Sequence, residues 1–132
     1  MMKRILLVED EPHIVRLMTM ALEHAGYAVD SAGNGEEALK CLEDQHPDIL
    51  ITDIDMPRMT GQELCTRLNA ELPERDFLII VITARTEVEH REWSGVIPNL
   101  EFREKPISVR KLVARLDEYF ADTAVSEDCI SG

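Results

Sequence analysis

The sequence predicts an α/β domain with a doubly wound, five-stranded parallel sheet in the order 2-1-3-4-5, covered by five helices. Three observations carry that prediction. Residues 5–8, 49–51 and 77–82 are unbroken apolar runs, as strands covered on both faces must be. Ala28-Val29-Asp30-Ser31 and Leu100-Glu101-Phe102-Arg103 mix polar with apolar side chains, which suits the two edges of the sheet. Between these runs the apolar period changes to that of a helix, as parallel strands joined by helical crossovers require.

The first helix is marked by Ile14, Leu17, Met18, Ala21, Leu22 and Ala25, one stripe at i, i+3, i+4, i+7, i+8 and i+11, and Gly26 is its stop signal. Asn34, three residues before Glu37, is a weak capping signal for the second helix. Thr60-x-x-Glu63 and Thr86-x-x-Glu89 read as capping boxes that open the third and fourth. Ser108 caps the last, which buries Val109, Leu112, Val113, Leu116 and Phe120. The fourth helix is expected to be short, because Ser94-Gly95 and Pro98 interrupt residues 91–99. Trp93 in that stretch reads either as a surface anchor or as a half-buried ring under a loop. After a domain spanning 1–120, residues 121–132 are small, polar and acidic, and are expected to form a flexible acidic tail or the start of a linker.

At 132 residues the chain is one domain's worth. Its 26 acidic and 14 basic side chains give a net charge of −12, the wrong sign for direct nucleic-acid binding or for an anionic membrane surface. The longest apolar run is six residues, against the roughly 20 that a membrane-spanning helix needs. Glu9-Asp10-Glu11 ends the apolar start before a signal-peptide core forms, so a cytoplasmic location is expected. Cys41, Cys65 and Cys129 form no C-x-x-C pair and suggest neither disulfides nor zinc; the first two read as helix-core thiols. His13, His24, His46 and His90 are unclustered and offer no phosphohistidine.

A sheet of this order binds ligands beyond the carboxyl ends of its strands, where the order reverses between strands 1 and 3. Glu9, Asp10 and Glu11 follow strand 1, and Asp53 and Asp55 follow strand 3. Two carboxylates about 4 Å apart repel by roughly 4 kcal/mol at an effective dielectric near 20, so such a cluster needs a cation or must protonate. All-oxygen ligation points to Mg2+ rather than zinc. Any one of these acids alone is as well read as a solvated turn residue; their convergence favours the ion. Thr83 at the end of strand 4 and Lys105 just past strand 5 bring a hydroxyl and an ammonium to the same place. That set can neutralise the oxygens of a phosphoryl group accepted by an Asp carboxylate, so the chemistry implied is an aspartyl phosphate.

These residues carry a family resemblance. Leu7-Val8-Glu9-Asp10-Glu11, Asp53-x-x-Met56-Pro57-x-Met59-x-Gly61, Thr83-Ala84 and Lys105-Pro106 occur in order, with Asp10, Asp53, Thr83 and Lys105 separated by 43, 30 and 22 residues. Over about residues 3–120 the chain resembles the receiver domains of two-component response regulators, which have a flavodoxin-like fold, in the single-domain size of the chemotaxis regulator. The resemblance implies that Asp53 accepts a phosphoryl group from a sensor histidine kinase, a histidine phosphotransfer protein or a small phosphodonor. Glu9, Asp10, the Asp53 side chain and the Asp55 backbone carbonyl would hold Mg2+. Lys105 would pair with the phosphoryl group, Thr83 would move to hydrogen-bond it, and Phe102 would swing inward as the rotating aromatic. The switch would reshape the surface of the fourth helix, strand 5 and the fifth helix, so as to control a partner protein, a C-terminal output domain missing from this chain, or a phosphorylation-dependent homodimer. The domain would catalyse nothing beyond its own phosphoryl transfer and dephosphorylation.

Asp55 and Arg85, each two residues beyond a motif residue, correspond to family positions flanking the path of hydrolytic water. An ion pair closing part of that path is one expectation, and two exposed charges that never meet is the other. The interrupted stretch 91–99 departs from the family pattern and lies where output contacts usually form. An alternative from another class starts from Ile49-Leu50-Ile51-Thr52-Asp53-Ile54-Asp55, which resembles the strand-Asp-x-Asp start of haloacid-dehalogenase-like phosphatases, with Asp53 as nucleophile and Asp55 as general acid. It would leave Glu9 and Asp10 unexplained. A flavin-type cofactor carrier is disfavoured because the loop after strand 1 is acidic where a phosphate cradle needs Gly, Ser and Thr.

Overall fold

The computed structural model describes the backbone of residues 2–56, 58–84 and 93–131, with side chains as far as Asp122. Its elements are β1 (Arg4–Val8), α1 (Pro12–His24), β2 (Ala28–Ala32), α2 (Gly35–Asp44), β3 (Ile49–Asp53), α3 (Gly61–Glu71), β4 (Leu78–Thr83), β5 (Leu100–Glu104) and α4 (Val109–Ser131). The strands form one parallel sheet in the order β2-β1-β3-β4-β5. The chain steps outward from β1 to β2 and then crosses back to β3, which leaves a crevice at the carboxyl ends of β1 and β3. Register keeps those ends level, with Val8 beside Ala32 and Thr52, Asp53 beside Ile82 and Thr83 beside Glu104.

Alternate side chains of the central strands feed two apolar layers. Leu6, Val8, Leu50, Ile79 and Val81 pack with Ala38 and Leu42 of α2 and Leu64, Cys65 and Leu68 of α3. Ile5, Leu7, Ile49, Ile51, Leu78 and Ile80 pack with Met18 and Leu22 of α1 and Leu112 and Leu116 of α4. Burying such a side chain fully stabilises the fold by about 1.5–3 kcal/mol, which is why β1, β3 and β4 are apolar apart from Arg4, Thr52, Asp53 and Thr83 at their ends. The edge strands β2 and β5 are mostly half-buried or exposed, as their mixed sequences require.

Three of the expected caps are present among the described residues. Asn34 Oδ1 accepts the Glu37 amide at 3.0 Å, and Ser108 Oγ accepts the Lys111 amide at 3.3 Å. Thr60 and Glu63 cap each other reciprocally. α1 ends as Gly26, at φ 102°, donates to Glu23 O and Tyr27 donates to Leu22 O, the double closure that a glycine just past a helix permits. Two polar contacts then fix α4. The Tyr27 hydroxyl donates to Asp117, and Arg115 binds Glu101 of β5 through two guanidinium nitrogens, which holds the Glu101 carboxyl below its usual range.

Three features bear on the helices expected from sequence. Leu17 is 62% exposed and Ala25 is also outside the core. The arc of α1 that packs on the core runs through Ile14, Val15, Met18 and Leu22, so Ile14, Met18 and Leu22 of the expected stripe hold. Leu17 stands one residue, about 100°, around the helix from Met18 and beyond that arc. The expected fourth helix opens at Thr86-x-x-Glu89, which lies outside the described residues. The described residues therefore hold four helices, and the expected fifth is α4. Finally, the α4 backbone runs on to Ser131, through the stretch set apart in the sequence as a flexible acidic tail or the start of a linker. Between Pro106 and Gly132 there is neither Gly nor Pro to stop it. No helix among the described residues is long and apolar enough to cross a membrane.

The two α1 leucines provide a direct check of this packing. Leu22→Ala, at a fully buried position, is expected to lower the free energy of unfolding by about 2–5 kcal/mol. Leu17→Ala should change it by no more than about 0.5 kcal/mol. Urea unfolding curves of the two variants measure both, and equal losses would refute the exposed placement of Leu17.

Candidate functional site

The crevice is built by backbone pairing that continues one residue past the strands. The Glu9 amide donates to Ala32 O at 3.0 Å, the Ile54 amide to Ile82 O at 3.0 Å, and the Lys105 amide to Thr83 O at 2.8 Å. Each acid or base at a strand end is therefore held by the sheet itself rather than by a free loop. Carboxylate oxygens of Glu9, Asp10 and Asp53 lie within 4.8 Å of one another. Glu9 and Asp53 are 6% and 4% exposed, while Asp10 and Asp55 are open to solvent. Lys105 Nζ stands 2.9 Å from Asp53 Oδ1. The Asp55 amide donates to that same oxygen at 3.3 Å, and the Glu11 amide donates to Glu9 Oε1 at 3.2 Å. The Lys105-Pro106 peptide is cis.

Charge balance explains the site's behaviour. Burial, reinforced by the neighbouring Asp53 and Asp10 charges, raises the Glu9 carboxyl from 4.5 to about 7, against the lowering effect of its hydrogen bond from Glu11. Burial alone would lower the Lys105 ammonium, but its hydrogen bond to Asp53 and the charges of Asp53, Glu9 and Asp55 together raise it above its usual value. One ammonium thus faces three clustered carboxylates, and Glu9 holds a proton more tightly than an ordinary glutamate. A cluster of oxygen donors short of positive charge fits a hard divalent cation.

Thr83 ends β4 and is fully buried. Phe102 lies in β5 beside Val81, half-buried against the α2–α3 layer, with the Trp93 ring edge-on to it at 5.8 Å. Trp93 is therefore a half-buried packing ring. The structure thus brings Glu9, Asp10, Asp53 and Lys105 into one cluster, sets Asp55 beside it, and ends β4 there with Thr83. Arg85, and with it any pairing to Asp55, lies outside the described residues.

One residue of the site escaped the sequence reading as a determinant of geometry. The Gly61 amide donates to Ile54 O at 2.9 Å, so the β3–α3 loop returns to the strand it left. A Cβ at Gly61 would stand 2.5 Å from Asp53 O and 2.8 Å from Ile54 Cα, both backbone atoms. Only glycine closes the loop there. Its signal in the sequence is its place at the end of the motif that begins at Asp53, directly after the Thr60 cap.

The Glu9 shift sets a pH dependence of stability in metal-free solution. With the folded value near 7 and the unfolded one near 4.5, the folded state binds the extra proton between those limits. The stabilisation is full below the unfolded value and is lost as pH rises through the folded one. Unfolding free energy should therefore fall from about pH 4.5 to about pH 7, by at most about 3 kcal/mol from this group. Glu9→Gln should flatten that part of the profile in denaturant titrations across the range, and an unchanged slope would remove Glu9 as its source.

Comparison with known proteins agrees with this geometry. The family model described as "Response regulator receiver domain" matches residues 5–117. The Bacillus subtilis alkaline phosphatase synthesis transcriptional regulatory protein PhoP is 36% identical over 116 residues, 88% of this chain and 48% of PhoP. The Pseudomonas aeruginosa phosphate regulon transcriptional regulatory protein PhoB is 36% identical over 86% of this chain and 50% of PhoB. The chain thus spans about half the length of these relatives. Among solved structures, the Thermotoga maritima response regulator TrrA in complex with Mg(2+)-BeF is 34% identical, with TM-score 0.76, covering 89% of this chain and 98% of that one. A CheY-like receiver domain from Methanospirillum hungatei is 26% identical, with TM-score 0.83, covering 96% and 99%. With the sheet order, the acid cluster and the family model in agreement, the chain belongs to the response regulator receiver domains, the phosphorylation-accepting signalling switches of two-component systems.

Proposed function

We propose that Asp53 is the phosphoacceptor of this receiver and that the switch it drives acts on another protein surface. The observation that carries this reading is the Lys105 ammonium seated on the buried Asp53 carboxylate inside the Glu9–Asp10–Asp53 cluster. An Asp53 oxygen forms the new O–P bond as the bond from phosphorus to the donor breaks, the donor being a phosphohistidine of a sensor kinase or phosphotransfer protein, or a small acyl phosphate. The donor nitrogen or oxygen leaves with its electron pair. Water later returns Asp53 to a carboxylate and releases inorganic phosphate. Glu9, Asp10, Asp53 and the Asp55 backbone carbonyl are the groups that would hold Mg2+, which when bound supplies positive charge opposite the phosphoryl oxygens. Lys105 stays within reach of those oxygens, and the Thr83 hydroxyl offers them a hydrogen bond.

Phosphorylation replaces a carboxylate by a group with three acceptor oxygens, so Thr83 and Lys105 gain charge-assisted bonds worth on the order of 1.5–3 kcal/mol each. That bias moves Phe102 inward and, with it, the surface formed by the segment before β5, β5 and α4. The reader of that surface is a separate partner, an output domain missing from this chain, or a second copy of the receiver. The site of action is the cytoplasm, where its phosphodonors are.

The test is intact-protein mass after incubation with acetyl phosphate and Mg2+. A single phosphate adduct is expected, absent from Asp53→Ala and after chelation of the metal, and formed at least about tenfold more slowly by Lys105→Ala. An adduct that persists in Asp53→Ala, or steady release of phosphate from unrelated esters, would overturn the reading.

A further inference from the structure

The loop between β3 and α3 is anchored twice. Gly61 returns it to the backbone of Asp53 and Ile54, and before that Met59, 7% exposed, packs onto the first turn of α2. Residue 35 opens that turn as a glycine, and a Cβ there would stand 2.7 Å from Met59 Cγ and 2.8 Å from Met59 Cβ and Sδ. Carbon atoms in contact need about 3.5–4.0 Å. The demand is for space, because residue 35 lies inside a capped helix where alanine would be the better helix former. Arg58, at φ 66°, holds the left-handed conformation immediately before Met59, and its guanidinium reaches Glu36 at 3.8 Å across the same junction.

From this packing we infer that Gly35, on a different element from every residue of the acid cluster, is a positioning residue for phosphoryl transfer. Its missing side chain seats Met59, and the seated Met59 holds the loop that begins at Asp53. The inference rests on the reading of Asp53 as phosphoacceptor. The transmission is short and stiff. Met59 lies two residues before Gly61, and Gly61 sits against the Asp53 carbonyl with no room for even a methyl group. A side chain at residue 35 pushes Met59 out of its seat, and the displacement reaches Asp53 and the Asp55 amide that donates to it. Phosphoryl transfer depends on sub-ångström placement of the acceptor oxygen, so the rate reports the shift.

The experiment compares initial rates of phosphate incorporation from acetyl phosphate with Mg2+ in wild type, Gly35→Ala, Met59→Ala and the double variant, alongside the thermal midpoint of each. Gly35→Ala is expected to slow incorporation about tenfold while keeping a cooperative unfolding transition. In the Met59→Ala background the same substitution should slow the rate by no more than about threefold, because Met59 Cγ and Sδ are gone and only Cβ remains to be struck. That non-additivity is the signature of positioning through Met59, and a merely structural role of residue 35 would not produce it. Incorporation by Gly35→Ala at the wild-type rate would overturn the inference, as would an equal slowing in both backgrounds. Should Gly35→Ala fail to fold, the comparison of Met59→Ala with the double variant decides alone: a further loss of no more than about threefold supports the contact and a loss of about tenfold refutes it. A wild-type chain that takes no phosphate would instead overturn the phosphoacceptor reading, and this inference with it.

Discussion

The crowding of Glu9, Asp10 and Asp53 within 4.8 Å is the constraint on which the rest of this molecule turns. Like charges at that spacing oppose folding unless something opposes them in turn, and among the described residues the answer is Lys105, 2.9 Å from Asp53. Its effect is partial, as the tight proton on Glu9 shows. A site left short of positive charge has a standing affinity for a cation, and a cation beside a carboxylate nucleophile prepares that carboxylate to meet a phosphoryl group. The strain is tolerated because it sits at the mouth of a sheet whose three central strands are buried on both faces. Stability comes from those strands and the chemistry from their ends.

Much of this was legible in sequence because it depends on local pattern. The apolar runs of β1, β3 and β4 have no other soluble structure in which to be covered on both sides, and the mixed runs of β2 and β5 fit only the edges. The strand-end positions of Asp53 and Thr83 then followed from the runs themselves, and the meeting of Glu9, Asp10, Asp53 and Lys105 from the order of the strands. What stayed hidden depends on contacts between distant segments. The exposure of Leu17 reflects how narrow an arc of α1 the sheet covers, which no helical period specifies. The return of Gly61 onto Asp53 and the seat of Met59 on Gly35 are close approaches of backbone to side chain, and a glycine in a sequence does not say what approaches it. The continuation of α4 to Ser131 was obscured by a polar composition that suggests a tail although nothing in it breaks a helix.

The geometry also explains why a small covalent change can have a distant effect. Asp53, Thr83 and Lys105 stand at the ends of β3, β4 and β5, and the Lys105 amide is bonded to the Thr83 carbonyl at 2.8 Å, so the two groups that would meet the phosphoryl oxygens are already mechanically joined. Phe102 is three residues before Lys105, on the strand that leads from the Trp93 contact to the site. A preference of a few kcal/mol for one arrangement of these ends is enough to invert a modest population ratio. No element need unfold for the outer surface of β5 and α4 to change.

The central claim, that the carboxyl ends of β1, β3, β4 and β5 form one phosphoryl-binding centre, is tested most directly by a crystal structure of the chain with Mg2+ and beryllofluoride. The account predicts fluoroberyllate bonded to an Asp53 carboxylate oxygen and contacted by Lys105 and Thr83, with the metal between it and the Glu9 and Asp10 carboxylates. Beryllofluoride on another carboxylate, or a metal seated away from Glu9 and Asp10, would contradict it.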